Sequence, residues 1–350
     1  MAGAACAAGL RNAGLEVTVF DRSDKVGGRM ATHHADWIDA KGITQTDAFD
    51  HGCGQFSVTG RRFGAVVKRA AHLGFAAHWR QHVYATFPTV RTRQVVVPTP
   101  NMQALCIHLL GDAPLRLGHT VRGVRRTTAG WLLHVFCDDI DERLHGPFDR
   151  IVLAMPAWQA ARLLGEYEPA WAQALSSIRT TPCWTLAAVT DDLDWPWDAA
   201  LVEQGALGWI ARNDRKPGRP SLRGLVPWVA HATPDWSLAH LDDDPVRVTD
   251  ALLAALAQQL SSTVPIRWHH SSVHQWRQAR HETIALDGPD CLWDENLGVG
   301  VCGDAFGLGN VESAWRSGDE LADAISASCE ATLFERATRV ADTPANTFSQ

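Results

Sequence analysis

The chain has 350 residues, 46% of them apolar and 20% charged, with a formal net charge of −7. That is the profile of a globular protein with a real core, one large domain or two ordinary ones. The acidic balance, with no long basic stripe, argues against a nucleic-acid partner, and no apolar run reaches the ~18 residues that a membrane span needs. Eight cysteines form no C-x-x-C pair, which excludes zinc ribbons and thioredoxin chemistry and leads us to expect reduced thiols in a cytoplasmic setting.

In chain order, residues 2–13 are small and helix-favouring and end near Gly14. Glu16–Phe20 (EVTVF) alternates as a strand does, with Asp21 directly after it. A Gly-containing loop covers Arg22–Arg29, and Asp50–Ser57 (DHGCGQFS) is again Gly-rich. Helical spacing is expected over Phe63–Leu73 and Asn101–Leu110, the latter started by the Pro98–Pro100 segment. Strands are predicted at 115–126, 131–137 and 150–155; the last, IVLAMP, reads as buried within a parallel or mixed sheet. Residues 165–285 hold nine of the fifteen tryptophans, with strand-like pieces around one helix at 245–260. Leu297–Cys302 returns to a buried strand, a helix follows over Glu312–Ser326, and 327–350 read as a loose tail.

Three motifs carry chemistry. Gly3 opens the small-residue helix, and Asp21 stands at the end of the next strand, the arrangement of a dinucleotide site: glycine lets the backbone approach a pyrophosphate at a helix N-terminus, and the acid holds ribose hydroxyls. Six residues after Asp21 comes Gly27-Gly28-Arg29-Met30, where the glycines permit close approach and Arg29 can neutralise a phosphate. Cys302-Gly303-Asp304 follows a buried strand and leads through Asn310 to the helix at Val311 and Glu312, so Asp304 can accept hydrogen bonds and the helix start can face developing charge. His33, His34, His269, His270 and His274 sit on loop or strand sequence in which neighbours face opposite ways, so no metal site is expected. No G-x-S-x-G elbow is present, so acyl transfer is not indicated.

In this order and at these separations the motifs resemble the amine-oxidase-like FAD/NAD(P)-binding superfamily. Within it the chain is most similar to the bacterial renalase-like group, through DHGCGQFS, IVLAMPAWQAARLL, GWIARNDRKPGR, PWVAHATPDWS and VCGDAFGLGNVESAWRSGDELA. Two departures stand out. The strand and first glycines that should precede Gly3 are not in the sequence, for which the expectation is a start assigned to an internal methionine of the phosphate loop rather than a truly shortened protein. The segment that usually reads D-x-G-A-Q-Y-F is here DHGCGQF.

The resemblance implies an α/β protein: a Rossmann-like FAD-binding domain lacking its first strand (1–60, 98–164 and 286–326) and an inserted antiparallel-sheet plus helix substrate domain (61–97 and 165–285). It implies FAD as cofactor, bound at Gly3, Ala4, Asp21, Arg22, Gly28, Arg29, Met30, Val121, Gly303, Asp304, Val311 and Glu312. The implied reaction is oxidation of 2- and 6-dihydro isomers of NAD(P)H to NAD(P)+ by hydride transfer to flavin N5, with O2 as acceptor and hydrogen peroxide as product. Such a donor needs no strong base but does need a dry aromatic pocket. His231, Trp236, Trp276 and Arg280 are expected to position the ring, and Arg212, Asn213 and Arg219 to hold the substrate's polar parts. Two other readings stay open: an amine oxidase or desaturase acting on an amine-like substrate, and a non-catalytic flavoprotein fold. Against an amine oxidase stand only two tyrosines and four lysines, of which Lys216 alone lies in the second domain, inside the polar RNDRKPGR loop.

Overall fold

The computed structural model describes residues 1–85, 91–137, 141–219, 224–262, 264–281 and 288–341. The elements run α1 (Ala2–Asn12), β1 (Val19–Phe20), β2 (His33–Ile38), β3 (Thr44–Phe49), α2 (Arg61–His72), β4 (Ala76–Ala85), β5 (Arg91–Pro98), α3 (Ala104–Leu110), β6 (Leu115–Arg116), β7 (His119–Thr127), β8 (Gly130–Cys137), β9 (Asp141–Phe148) and β10 (Ile151–Leu153). Then follow α4 (Ala157–Leu164), α5 (Pro169–Ser176), β11 (Thr180–Asp191), β12 (Ala199–Leu201), β13 (Leu207–Arg212), β14 (Leu225–Ala232), α6 (Pro234–Ala239), α7 (Pro245–Leu260), β15 (Trp268–His281), β16 (Leu292–Asp294), β17 (Val299–Val301) and α8 (Val311–Ala341).

One half of the molecule is built on short parallel pairings. β1 pairs with β6, and β10 pairs with β17, which carries β16 antiparallel on its other side. Parallel strands need crossover elements between them, and their buried apolar faces (Ile151, Leu153, Val299, Val301) meet α4 and the three-stranded antiparallel sheet β7–β8–β9. α1 lies against α8 at close range. A Cβ on Gly9 would stand 2.5 Å from Ala322 Cβ, and one on Gly318 would stand 2.1 Å from the Ala2 carbonyl oxygen. The Ala-rich stretch therefore serves packing: small side chains let the two backbones approach.

The other half is a seven-stranded sheet in the order β15-β11-β14-β13-β12-β4-β5, antiparallel except for the β12–β4 pair. Because side chains alternate along a strand, the sheet has two different faces. Trp184, Leu186, Ala188, Ile210, Trp228 and Ala230 point to α7, whose Val248, Leu252, Leu256 and Leu260 recur at four-residue spacing and are buried. Burial of each such side chain contributes roughly 1.5–3 kcal/mol. Pro245 in the first turn and Asp244, whose Oδ1 accepts from Val246 N at 2.7 Å, start that helix. The opposite face carries Ala187, Val189 and Val229 under the β2–β3 hairpin, with Trp37 and Phe49 packed on them.

Several boundaries differ from the sequence reading. Of Glu16–Phe20 only Val19–Phe20 is paired, because β6 offers just two partner residues. The expected strand 115–126 is two strands in different sheets, broken at Gly118, whose φ of +70° glycine tolerates best. β9 went unseen because DERLHGPF has polar side chains and no alternation. The tail expected from 327 continues α8 through Ala341, while 342–350 lie outside the described residues, as do 220–223 of the basic run. Among the described residues no helix is long and apolar enough to cross a membrane.

Candidate functional site

A single cavity of about 2590 Å³ runs from the start of α1 to the inner face of the seven-stranded sheet. That volume exceeds the roughly 300–1,000 Å³ of a drug-sized pocket. At one end it is lined by Gly3, Asp21, Arg22 and Val121, in the middle by Gly28, Arg29, Met30, Gly303 and Asp304, and at the start of α8 by Val311 and Glu312. Ala4 is not on this lining; it is buried in the core with Val67 and Leu105, because it faces away from Gly3 on the helix. A Cβ at Gly3 would stand 3.1 Å from Ala154 Cβ, so the absence of a side chain there brings α1 close to the end of β10.

Asp21 ends β1, and its Oδ1 accepts from Ser23 N at 2.9 Å; burial raises its pKa. Gly27 and Gly28 have φ of +117° and +57°, which side chains rarely adopt, and they turn the chain so that Arg29 enters the cavity. Arg29 Nη2 donates to Asp304 Oδ1 at 2.6 Å and Nη1 to the Ala279 carbonyl at 3.1 Å. Burial pushes the Asp304 carboxyl up, but His281, whose Nε2 is 3.3 Å from Oδ2, and Arg29 outweigh it and hold the group well below the usual carboxylate range. Glu312 reaches across to the start of α2, accepting from Thr59 N at 2.8 Å and Gly60 N at 2.6 Å.

At the far end, four strands set one row of side chains across the sheet: Trp209 on β13 faces His231 on β14, His231 faces Thr185 on β11, and Thr185 faces His274 on β15. The neighbouring row pairs Cys183 with Trp276. All of these line the cavity, as does Arg280. His51, Trp276 and His274 make an aromatic corner, with ring centroids 5.0 Å (His51–Trp276), 4.8 Å (His51–His274) and 4.4 Å (His274–Trp276) apart. Trp276 Nε1 donates to the His51 carbonyl at 3.0 Å, which fixes the indole. Burial, helped by Arg280 and Lys216, lowers the His231 pKa to about 3. Burial, helped by His274 and His33, lowers that of His51 to about 4. Both rings are therefore neutral at pH 7. Thr185 Oγ1, His231 Nε2 and His51 Nδ1 are buried without a hydrogen-bond partner.

Behind this corner lies a charged clamp. Asp50, fully buried, accepts from Thr32 Oγ1 at 2.7 Å, Lys216 Nζ at 3.0 Å and Arg219 Nη2 at 2.9 Å. Burial opposes its charge, yet Lys216 and Arg219 keep its pKa below the ordinary value; burial lowers the Lys216 pKa against the pull of Asp50. A Cβ on Gly54 would stand 2.7 Å from Lys216 Nζ, so the lysine runs directly beneath the loop that carries His51.

The structure thus gathers His231, Trp276 and Arg280 but corrects the other expectations for the substrate end. Trp236 is on α6, on the α7 side of the sheet, where it stacks on His240 at 4.1 Å. Arg212 is 1% exposed and bound to Asp192 and Asp214, each at 2.9 Å, on that same side. Asn213 donates to the Ala48 carbonyl at 2.7 Å, and Arg219 is held by Asp50, Pro98 and Pro100. None of the four lines the cavity: Arg212, Asn213 and Arg219 have their polar groups engaged within the chain, and Trp236 packs on the other side of the sheet. Lys216, read as part of a polar loop, is instead buried next to the site. Asp50, His51 and Thr185 were not singled out. Asp50 and His51 stand in the Gly-rich stretch that carried part of the resemblance, whereas Thr185 gives no sequence signal.

Residues 1–80 match the family of NAD(P)-binding Rossmann-like domains. The whole chain is similar to solved structures of a protein assigned as a protoporphyrinogen oxidase from Exiguobacterium sp. 255-15 (TM-score 0.65, 12% identity, 93% of this chain and 96% of that one). It is similar also to an oxidoreductase from Methanosarcina mazei (TM-score 0.66, 11% identity, 92% and 98%). A third is the cyclohexylamine oxidase from Brevibacterium oxydans IH-35A (TM-score 0.57, 14% identity, 94% and 97%). At these identities the likeness is one of fold: this chain has the mixed α/β architecture of those three proteins, and the Rossmann-like match lies in its residues 1–80.

Proposed function

We propose that the cavity binds FAD and that the protein is an FAD-dependent oxidase of dihydronicotinamide isomers. The observation that carries this reading is the continuity of the cavity, from a glycine–acid dinucleotide end at Gly3 and Asp21 to an aromatic end at His51, His274 and Trp276. The residues present suit the cofactor: Gly3 and Gly28 leave backbone open to a diphosphate, Asp21 is placed for ribose hydroxyls, and the Arg29–Asp304 pair stands between the two ends. FAD, when bound, supplies hydride acceptance, with O2 as the final acceptor and hydrogen peroxide as product. The protein's own part is positional. Trp276 and His51 offer flat faces for a ring, and neutral His231 and His51 take no proton from a donor that already carries a hydride.

The test is direct. Purified protein is expected to show the flavin absorbance of a bound cofactor, to lose it anaerobically on addition of 2- or 6-dihydro-NAD(P), and to release one peroxide per NAD(P)+ in air. Reduction by primary amines instead would favour the amine-oxidase reading, which the fold of the cyclohexylamine oxidase supports. Protein without flavin, even after incubation with FAD, would overturn both.

A further inference from the structure

Half of the chain's eight cysteines stand in one small cluster that the proposed reaction does not use. Cys6 on α1 and Cys302 at the end of β17 are buried there, at 2% and 0% exposure, and the partly exposed Cys291 and Cys329 pack against the cluster. Three elements converge at this point. Cys302 N donates to the Leu153 carbonyl at 3.2 Å, Gly303 N donates to Ser317 Oγ on α8 at 2.9 Å, and a Cβ on Gly318 of α8 would stand 3.0 Å from Cys6 N. Packed in this way, the thiols of Cys302 and Cys6 are in hydrogen-bond contact; that bond, with burial, raises the Cys302 pKa well above the ordinary thiol value. Cys6 belongs to the cavity lining and Cys302 does not. Two other thiols of the lining point at oxygen instead of sulfur: Cys53 donates to the Gln55 carbonyl at 3.2 Å and Cys183 to that of Trp184 at 3.4 Å.

We propose that Cys6 and Cys302 are a peroxide-sensitive dithiol, oxidised in place to a disulfide that ties α1 to the loop after β17. Two thiols already in contact need only a two-electron oxidant, and hydrogen peroxide is small and neutral. The Cys6 sulfur, its proton released to water, attacks one peroxide oxygen; the O–O bond breaks, hydroxide leaves and takes up a proton, and Cys6 becomes a sulfenic acid. The Cys302 sulfur then attacks the Cys6 sulfur; the S–O bond breaks, and the hydroxyl leaves as water with the Cys302 proton. Two thiols thereby lose two electrons and two protons, and peroxide becomes two waters. A thiol held protonated is a poor opening nucleophile, so Cys6 opens and Cys302 resolves. The first step is slow, because no cation activates it; the second is favoured by contact, which intercepts the sulfenic acid before further oxidation. Gly3 on α1 and Gly303-Asp304 after β17 line the cavity, so the bond fixes two of its walls to each other. It also closes a loop of nearly the whole chain, the case in which chain entropy gives a disulfide its largest stabilising effect. The proposed oxidase reaction is one source of peroxide, but the dithiol requires only that peroxide be present.

The full chain, first reduced and then treated with added hydrogen peroxide, tests this. After alkylation of the remaining thiols under denaturing conditions, peptide mass spectrometry without reduction should find Cys6 joined to Cys302. The oxidised protein should melt several degrees higher than the reduced one, and dithiothreitol should reverse the shift. In Cys302→Ala the Cys6 sulfenic acid has no resolving thiol, so dimedone should label Cys6 in that variant and not in the unaltered protein. Loss of thiols without the Cys6–Cys302 peptide, pairing of either residue with another cysteine, an unchanged melt in the crosslinked protein, or an unlabelled Cys6 in folded Cys302→Ala would each overturn the proposal. Should the variant fail to fold, the peptide map and the melt of the unaltered protein decide the matter alone. Because the peroxide is added, none of these results depends on the substrate that the protein oxidises.

Discussion

Arg29 and Asp304, 275 residues apart in sequence, meet at 2.6 Å inside the cavity and join the Gly27–Gly28 turn to the loop after β17. Each was expected to serve the cofactor directly, Arg29 at a phosphate and Asp304 as an acceptor of hydrogen bonds. In the structure each is the other's partner, so the Gly27–Gly28 turn and the loop after β17 are held in register by an ion pair. Asp304→Asn should weaken FAD retention by about 10-fold and destabilise the protein by ~1 kcal/mol, the modest value for a pair whose arginine is about one-third exposed. Flavin-to-protein ratio after dialysis, with a thermal melt, measures both. Unchanged flavin content would separate the pair from the cofactor.

Two glycines of this region should respond differently to alanine. Gly28 has φ +57° but open space around its missing Cβ, so Gly28→Ala should cost only the strain of a left-handed residue, roughly 1–2 kcal/mol. Gly52 has no such strain, but a Cβ there would stand 2.1 Å from the Arg29 carbonyl oxygen and 3.2 Å from the Trp276 ring. Gly52→Ala must push the two loops apart, and soluble yield and flavin content should fall much further than for Gly28→Ala. Equal behaviour of the two variants would contradict this contact.

The clamp at Asp50 predicts an asymmetry. Asp50→Ala leaves two buried cations, Lys216 and Arg219, without their anion and should cost about 3–5 kcal/mol. Lys216→Met removes one of two cations and leaves Asp50 paired to Arg219, so it should cost clearly less. Urea unfolding of the three proteins decides the order.

Stability should decline on the acid side of neutrality. His231 and His51 have pKa values of about 3 and about 4 in the folded protein, against about 6.5 in an unfolded chain. Between those values the unfolded chain holds more protons. Their contribution is therefore complete above about pH 6.5 and is lost as pH falls toward 4, by about 1.4 kcal/mol per unit per group. His33, His270 and His274, also lowered by burial, act in the same direction. Replacing His231 with Gln should flatten the slope of unfolding free energy between pH 7 and pH 5 by about one proton, and an unchanged slope would show that His231 protonates freely.

What the sequence revealed follows the range of its interactions. Gly3, Asp21 and Gly27-Gly28-Arg29 could be picked out because a glycine turn and an acid at a strand end are local patterns, and all of them line the cavity. α7 was legible from its four-residue apolar spacing, and its bounds coincide with the expectation. The far end of the cavity was not, because it depends on strand register. Nothing in the spacing of Trp209, His231 and Thr185 shows that three strands bring them into one row. Arg212 looks like a ligand in the sequence for the same reason, since which face of its strand is covered is decided by α7, far along the chain; Trp236 lies beyond the strand, on α6. A short polar edge strand such as β9 carries no periodic signal at all.

The close crossing of α1 and α8, made possible by Gly9 against Ala322 and Gly318 against the Ala2 carbonyl, bears on the order of folding. These partners lie more than 300 residues apart in sequence, so their contact carries a large loop-closure entropy and cannot form during the early part of synthesis. β11 to β15 with α7 contain mostly nearer neighbours and can condense first. A nascent chain released before α8 has emerged would therefore present a largely finished seven-stranded sheet beside an open parallel-stranded half. Completion of the cavity becomes a late event, governed by the arrival of one helix that brings Val311 and Glu312 to its lining.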